Sequence, residues 1–206
     1  PARARLPSPR FVAAGRGAMS AVRSGLRIAL VAQYPERDPA MPSFVPNLGL
    51  RMVEATLRVA AFPGLVCRVW DLAGGDAERV AREIVTFDPD IVGFSAYLWS
   101  LPFLCRVAAL IKADDPARLV VFGGPSARPV MFARPPFSAA ADDIDVLVIN
   151  EGEETFLEIV SLELRTPAAL GALRGVAVRD GEGWRETPAR PLANLDSLAS
   201  PYALNL

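Results

Sequence analysis

The sequence predicts an α/β fold with a doubly wound, mostly parallel five-stranded sheet, followed by a C-terminal hairpin and linker. Three observations carry this. Short apolar runs alternate with longer stretches of helical periodicity. The runs are near-continuous rather than alternating, as in strands covered by helices on both faces. Most of them end in small or polar residues, so their carboxyl ends form one prospective ligand edge.

Leu26 to Ala32 reads as the first strand, and Gln33 to Pro46 as a proline-punctuated loop. Asn47 is placed to cap a helix whose apolar positions Leu50, Val53 and Leu57 recur at helical spacing. The second strand, Leu65 to Leu72, contains Arg68 and is therefore expected at an edge. Asp76 caps a helix carrying Ala77, Val80, Ile84 and Phe87 on one face, and Pro89 stops it. Ile91 to Phe94 is the third strand. Ser100 is then expected to cap a helix with Leu101, Leu104, Ala108 and Ile111, with Pro102 tolerated in its first turn. Leu119 to Phe122 and Val146 to Ile149 supply strands four and five, and a helix from Glu153 to Leu164 ends the unit. The simplest arrangement is the flavodoxin-like order 2-1-3-4-5, which puts the Arg68 strand at an edge.

Beyond it, Arg174 to Arg179 and Trp184 to Thr187 flank Asp180-Gly-Glu-Gly183, a hairpin turn. Pro188 to Leu206 has no strong periodicity. The expected divisions are a disordered leader at 1–25, an α/β domain at 26–165, and a hairpin and linker at 166–206 leading toward an absent partner domain.

Composition excludes several function classes. The 206 residues are 51% hydrophobic and 22% charged, with a net charge of −1, so nothing favours nucleic acid or an anionic membrane surface. No apolar run approaches the ~18 residues that cross a bilayer. Histidine is absent, which removes Ser-His-Asp and Cys-His catalysis and histidine-ligated metal from this chain. Cys67 and Cys105 share no ligand spacing; the expectation is two buried thiols in a reducing cytoplasm rather than a disulfide.

The prospective ligand edge consists of Gln33-Tyr34-Pro35, Ser95-Ala96-Tyr97, Gly123-Gly124-Pro125 and Asn150-Glu151-Gly152-Glu153. Known occupants can be tested against it. Ala32 to Arg37 lacks the glycines of a dinucleotide fingerprint, no P-loop is present, and strand three ends in Ser95 where a phospho-acceptor needs aspartate. The glycine pair either opens the backbone to a large flat ligand or only turns the chain. Ser95 either binds ligand or satisfies a strand end, and Tyr97 and Trp99 either wall a pocket or pack in the core. Glu151, Glu153 and Glu154 either meet ligand or complement a helix dipole. Arg128 and Arg134 lie in a long proline-rich loop, suited to phosphate or to solvent.

Order and spacing are more specific than any single part. Asp90-Ile-Val-Gly-Phe-Ser-Ala-Tyr97, the Gly123-Gly-Pro125 turn and Asp145-Val-Leu-Val-Ile-Asn-Glu-Gly-Glu-Glu-Thr-Phe156 resemble the N-terminal cobalamin-binding domain of radical S-adenosylmethionine (SAM) proteins, over residues 27 to 206. The tail from Gly175 to Gly181 and Arg190 to Pro201 looks like the connector into their radical SAM barrel. The resemblance implies a corrin lying across the strand ends, bordered by Gln33, Tyr34, Pro35, Tyr97 and the Asn150 to Glu153 turn. It implies a nucleotide tail descending past Ser95, Ala96, Gly123, Gly124 and Pro125. The better-known cobalamin domains carry D-x-H-x-x-G after strand one, with its histidine as lower cobalt ligand; here Ala32-Gln-Tyr-Pro-Glu-Arg37 stands there, so cobalamin would bind without a histidine ligand. The C-x-x-x-C-x-x-C motif that holds a 4Fe–4S cluster is missing as well. The resemblance therefore implies a module that positions cobalamin for methyl transfer, with the cluster and SAM held by a C-terminal radical SAM domain. The alternatives are a cofactor-free docking or substrate-binding domain, and a flavin site.

Overall fold

A computed structural model describes residues 25–36, 46–181 and 183–206. The leader (except Gly25), most of the loop after strand one, and Glu182 of the hairpin turn lie outside the described residues. The strands are β1 (Arg27–Tyr34), β2 (Val66–Ala73), β3 (Ile91–Ser95), β4 (Leu119–Gly123), β5 (Val146–Val148), β6 (Val176–Asp180) and β7 (Gly183–Glu186). The helices are α1 (Leu48–Ala60), α2 (Ala77–Phe87), α3 (Leu101–Asp114), α4 (Glu153–Ser161) and the one-turn α5 (Pro167–Leu170). Short 3₁₀ turns at Pro129–Phe132 and Ser138–Asp143 fill the β4–β5 connection.

The sheet runs β2-β1-β3-β4-β5-β6-β7. Its first five strands are parallel in the expected order 2-1-3-4-5. The expectation of a five-stranded sheet with a separate hairpin is corrected: β6 pairs antiparallel with β5, so the hairpin completes the same sheet. The reason is that β5 would otherwise be an exposed edge of three fully buried residues, and Val176, Ala177 and Val178 cover it.

Strand alternation divides the core into two layers. Ala29, Val31, Val92, Phe94, Val120 and Phe122 pack against α2 and α3. Ile28, Leu30, Ile91, Val121 and Val148 pack against α1 and α4. Asn47 caps α1 by accepting from the Leu50 amide, and Asp76 caps α2 through the Glu78 and Arg79 amides, both as expected. Ser100 does not cap α3. Its hydroxyl accepts from the Tyr97 amide and donates to the Tyr97 carbonyl, because the residue is already helical in φ and ψ. Helix α4 ends at Ser161 rather than Leu164. At the β2 edge, Arg68 lies 4.5 Å over the Trp70 ring, a cationic cover on the open side. Cys67 and Cys105 are free thiols, half-buried in opposite layers.

Candidate functional site

A cavity of about 360 Å³ lies between the sheet and the α1/α4 layer and opens at the carboxyl ends of the parallel strands. Its floor is Leu30, Gly93, Val121 and Val148, and its side walls are Leu50 and Val53 of α1 and Phe156 of α4. The volume falls within the range of small-molecule sites, which are typically apolar slots with a few polar groups.

The geometry follows from where side chains are missing. A Cβ at Gly93 would come within 3.0 Å of Leu30 and Phe156, so the deep end is closed tightly around a glycine. A Cβ at Gly123 would approach nothing closer than 3.8 Å, and the same is nearly true at Gly49 and Gly152. At those three positions a Cβ would meet its neighbours at ordinary van der Waals distance, so a side chain could stand there without a clash and would project at the cavity's border. Gly124 serves a different purpose: its φ of +92° and a Cβ position 2.9 Å from the Ala96 carbonyl require glycine for the turn out of β4.

Five residues with polar side chains line the cavity: Ser95, Tyr97, Asn150, Glu151 and Glu153. Protein donors or acceptors already hold three of them. The Ser95 hydroxyl donates to Asn47 Oδ1 at 3.3 Å. Asn150, in the left-handed region at φ +69°, accepts from the Arg128 guanidinium at 3.2 Å. Glu151 accepts from the Ala193 amide at 2.8 Å. Behind Ser95, the buried Asn47 also donates its backbone N–H to Asp71 and its side-chain amide to the Tyr34 hydroxyl. Burial pushes the Asp71 carboxyl up, against the Asn47 hydrogen bond and the charge of Arg51, and burial likewise raises the Tyr34 phenol.

Of the sequence-derived candidates, Ser95, Tyr97, Gly123, Gly124, Pro125, Asn150, Glu151, Gly152 and Glu153 line the cavity together. Gln33, Tyr34, Pro35 and Ala96 do not. Ala96 points into the opposite layer and is fully buried there, since strand alternation turns it away from Ser95. Gln33 and Tyr34 continue β1 rather than opening a loop, and Pro35 is exposed. Tyr34 is one step removed: it stacks on Trp99 at 6.4 Å, which stacks on Tyr97 at 4.6 Å. Arg128 secures Asn150, while Arg134 is exposed. Sequence reasoning missed Gly49, Leu50, Val53, Gly93 and Phe156 as site residues. A glycine inside the buried run of β3 was the available signal, because such a residue marks a close approach.

Among the described residues no group of histidine, cysteine, aspartate or glutamate is placed to hold a metal ion, and no helix is long and apolar enough to cross a membrane. The family model of the B12 binding domain matches residues 40–160. The chain is 37% identical over 123 residues to 2-(S-pantetheinyl)-carbapenam-3-carboxylate methyltransferase of Streptantibioticus cattleyicolor, a match covering 58% of this chain and 17% of that protein. It is 34% identical over 146 residues to the cobalamin-dependent radical SAM methyltransferase TokK of Streptomyces tokunonensis, covering 69% and 19%. Among solved structures, the cobalamin-dependent SAM radical enzyme OxsB superposes with a TM-score of 0.58 at 18% identity, over 87% of this chain and 24% of that one. The chain thus spans less than a quarter of each of these proteins. Fold, cavity position and family match agree: the chain belongs to the B12-binding domain family.

Proposed function

We propose that this chain is the cobalamin-holding module of a radical SAM methyltransferase. The observation that carries this reading is the cavity at the carboxyl edge, apolar in depth and bordered by Gly49, Gly123 and Gly152 where side chains would obstruct it. The residues present fit the cofactor. The slot suits its nucleotide tail, with Ser95 the polar group inside, and the Tyr34–Trp99–Tyr97 row offers aromatic faces at the rim to a planar ring. Asn150 and Glu151, each held by a protein donor, are pre-set acceptors for amide groups at the mouth. No imidazole is available in this chain, so none of its residues could offer one to the cobalt of a bound corrin.

When bound, cobalamin supplies the methyl-carrying cobalt for transfer to an unactivated carbon. The chain's own part is to bind, orient and keep water from the tail. On this reading a 4Fe–4S cluster and SAM would be placed in a segment outside these residues, because Cys67 and Cys105 lie in opposite layers and could not hold a cluster together. The relatives named above support this assignment.

The test is titration of the purified chain with hydroxocobalamin, then desalting and an absorption spectrum. Near-stoichiometric retained corrin, with a spectrum lacking a histidine ligand, is expected. A colourless protein that is folded by circular dichroism overturns the reading in favour of a cofactor-free docking domain.

A further inference from the structure

After β7 the chain does not leave the domain; it is laced along α4 to the cavity mouth. Thr187 bonds Val176 through both its backbone amide and its hydroxyl. The Pro188 carbonyl accepts from Gly175, and the Ala189 carbonyl accepts from the Arg174 guanidinium. Arg190, with only 15% of its side chain exposed, pairs with Glu158 and with Glu154 at 3.4 Å. Its Nε donates to the hydroxyl of Thr155 at 2.9 Å. Three residues on, the Ala193 amide donates to Glu151 Oε2 at 2.8 Å.

Glu151 is held by this strap directly at its carboxylate and, through Thr155 of α4, indirectly at its carbonyl. Its carboxylate receives the Ala193 amide. Its carbonyl accepts from the fully buried Thr155 hydroxyl at 3.4 Å, and that hydroxyl is itself the acceptor for Arg190. Glu151 also lines the cavity. One residue is therefore shared between the wall of the ligand site and the path of the segment that leads away from the sheet. Gly175 permits the close approach, since a Cβ there would lie 3.3 Å from Arg190 Cβ.

We propose that Glu151 is a latch joining the 187–193 strap to the cavity, so that strap docking and cavity occupancy are one coupled equilibrium. The docked strap keeps the Glu151 turn in its cavity-lining position, so docking favours ligand. By linkage, ligand favours docking by the same factor. The device reports an occupied cavity to whatever follows residue 193. Its ligand half rests on the proposed function; its latch half does not.

The experiment is hydrogen–deuterium exchange over peptides spanning 187–197, in the full chain, its Glu151→Ala variant and its Arg190→Ala variant, each with and without hydroxocobalamin. Corrin dissociation constants are measured alongside. Without corrin, both substitutions are expected to speed exchange in 187–197 and leave the β3 and β4 peptides unchanged. Equal exchange in all three proteins overturns the latch, whatever the ligand does. With corrin, exchange of the strap in the unsubstituted chain is expected to slow. Arg190→Ala, whose residue lies outside the cavity lining, is expected to weaken corrin binding about fivefold or more. Corrin retention with an unresponsive strap and an unchanged constant for Arg190→Ala overturns the coupling and leaves the proposed function standing. An unsubstituted chain that retains no corrin overturns the proposed function and the coupling together, while the corrin-free arm still decides the latch.

Discussion

Two glycines on the same face of the sheet have opposite meanings, and only the distances around them tell which is which. A Cβ at Gly123 would meet Val148 at an ordinary contact distance of 3.8 Å, so Gly123→Val should fold normally and obstruct the cavity that Gly123 lines. Corrin affinity is expected to fall on the order of tenfold or more, ~1.4 kcal/mol or greater, with an unchanged circular dichroism spectrum. Retained affinity in that variant removes Gly123 from the site. A Cβ at Gly93 would instead lie 3.0 Å from Leu30 and Phe156. Gly93→Ala should therefore cost stability, about 1–3 kcal/mol for overpacking a filled core, read from urea denaturation. In the sequence the two glycines look alike, because sequence records a missing side chain but not what would have met it.

At the scale of the element, strands and helices were mostly legible because each carries its own signal. Asn47 and Asp76 cap by local hydrogen bonds that follow from residue type and position. Ser100 shows the limit of that signal: the same residue type turns its hydroxyl back onto Tyr97 when its backbone is already helical. The hairpin was legible as a hairpin but not as sheet, since its partner β5 lies a helix and a turn away in sequence. The pairing makes a prediction. A chain ending at residue 165 loses the cover that Val176 and Val178 place over the α1/α4 layer. It should be destabilised by at least about 3 kcal/mol, from ~1.5 kcal/mol per buried valine, or fail to fold. A urea midpoint equal to that of the full chain rejects this role for β6.

Across the whole molecule, the two thiols report how tightly both helical layers are closed. Burial pushes Cys67 and Cys105 up to about 12 from an ordinary 9.0, with Glu54 and Asp143 respectively adding to the shift. The folded state therefore binds these protons more tightly than the unfolded chain. Their contribution to stability is fully present below pH 9 and is lost as pH rises from 9 toward about 12. Urea midpoints should accordingly fall through that window, and Ellman's reagent at pH 8 should modify both thiols only on unfolding. Rapid modification of the native chain would show an open layer. The sequence by itself determined the strand order, the edge position of the Arg68 strand, and nine of the residues that line the cavity. Those depend on periodicity and on which loops follow parallel strands, both of which are local in sequence. Tertiary structure alone decided that Ala96 turns away while Ser95 faces in, that α1 and Phe156 wall the cavity, and that the tail returns to Glu151. Those facts are contacts between residues far apart in the chain, and no pattern within either segment encodes the distance that separates them in space.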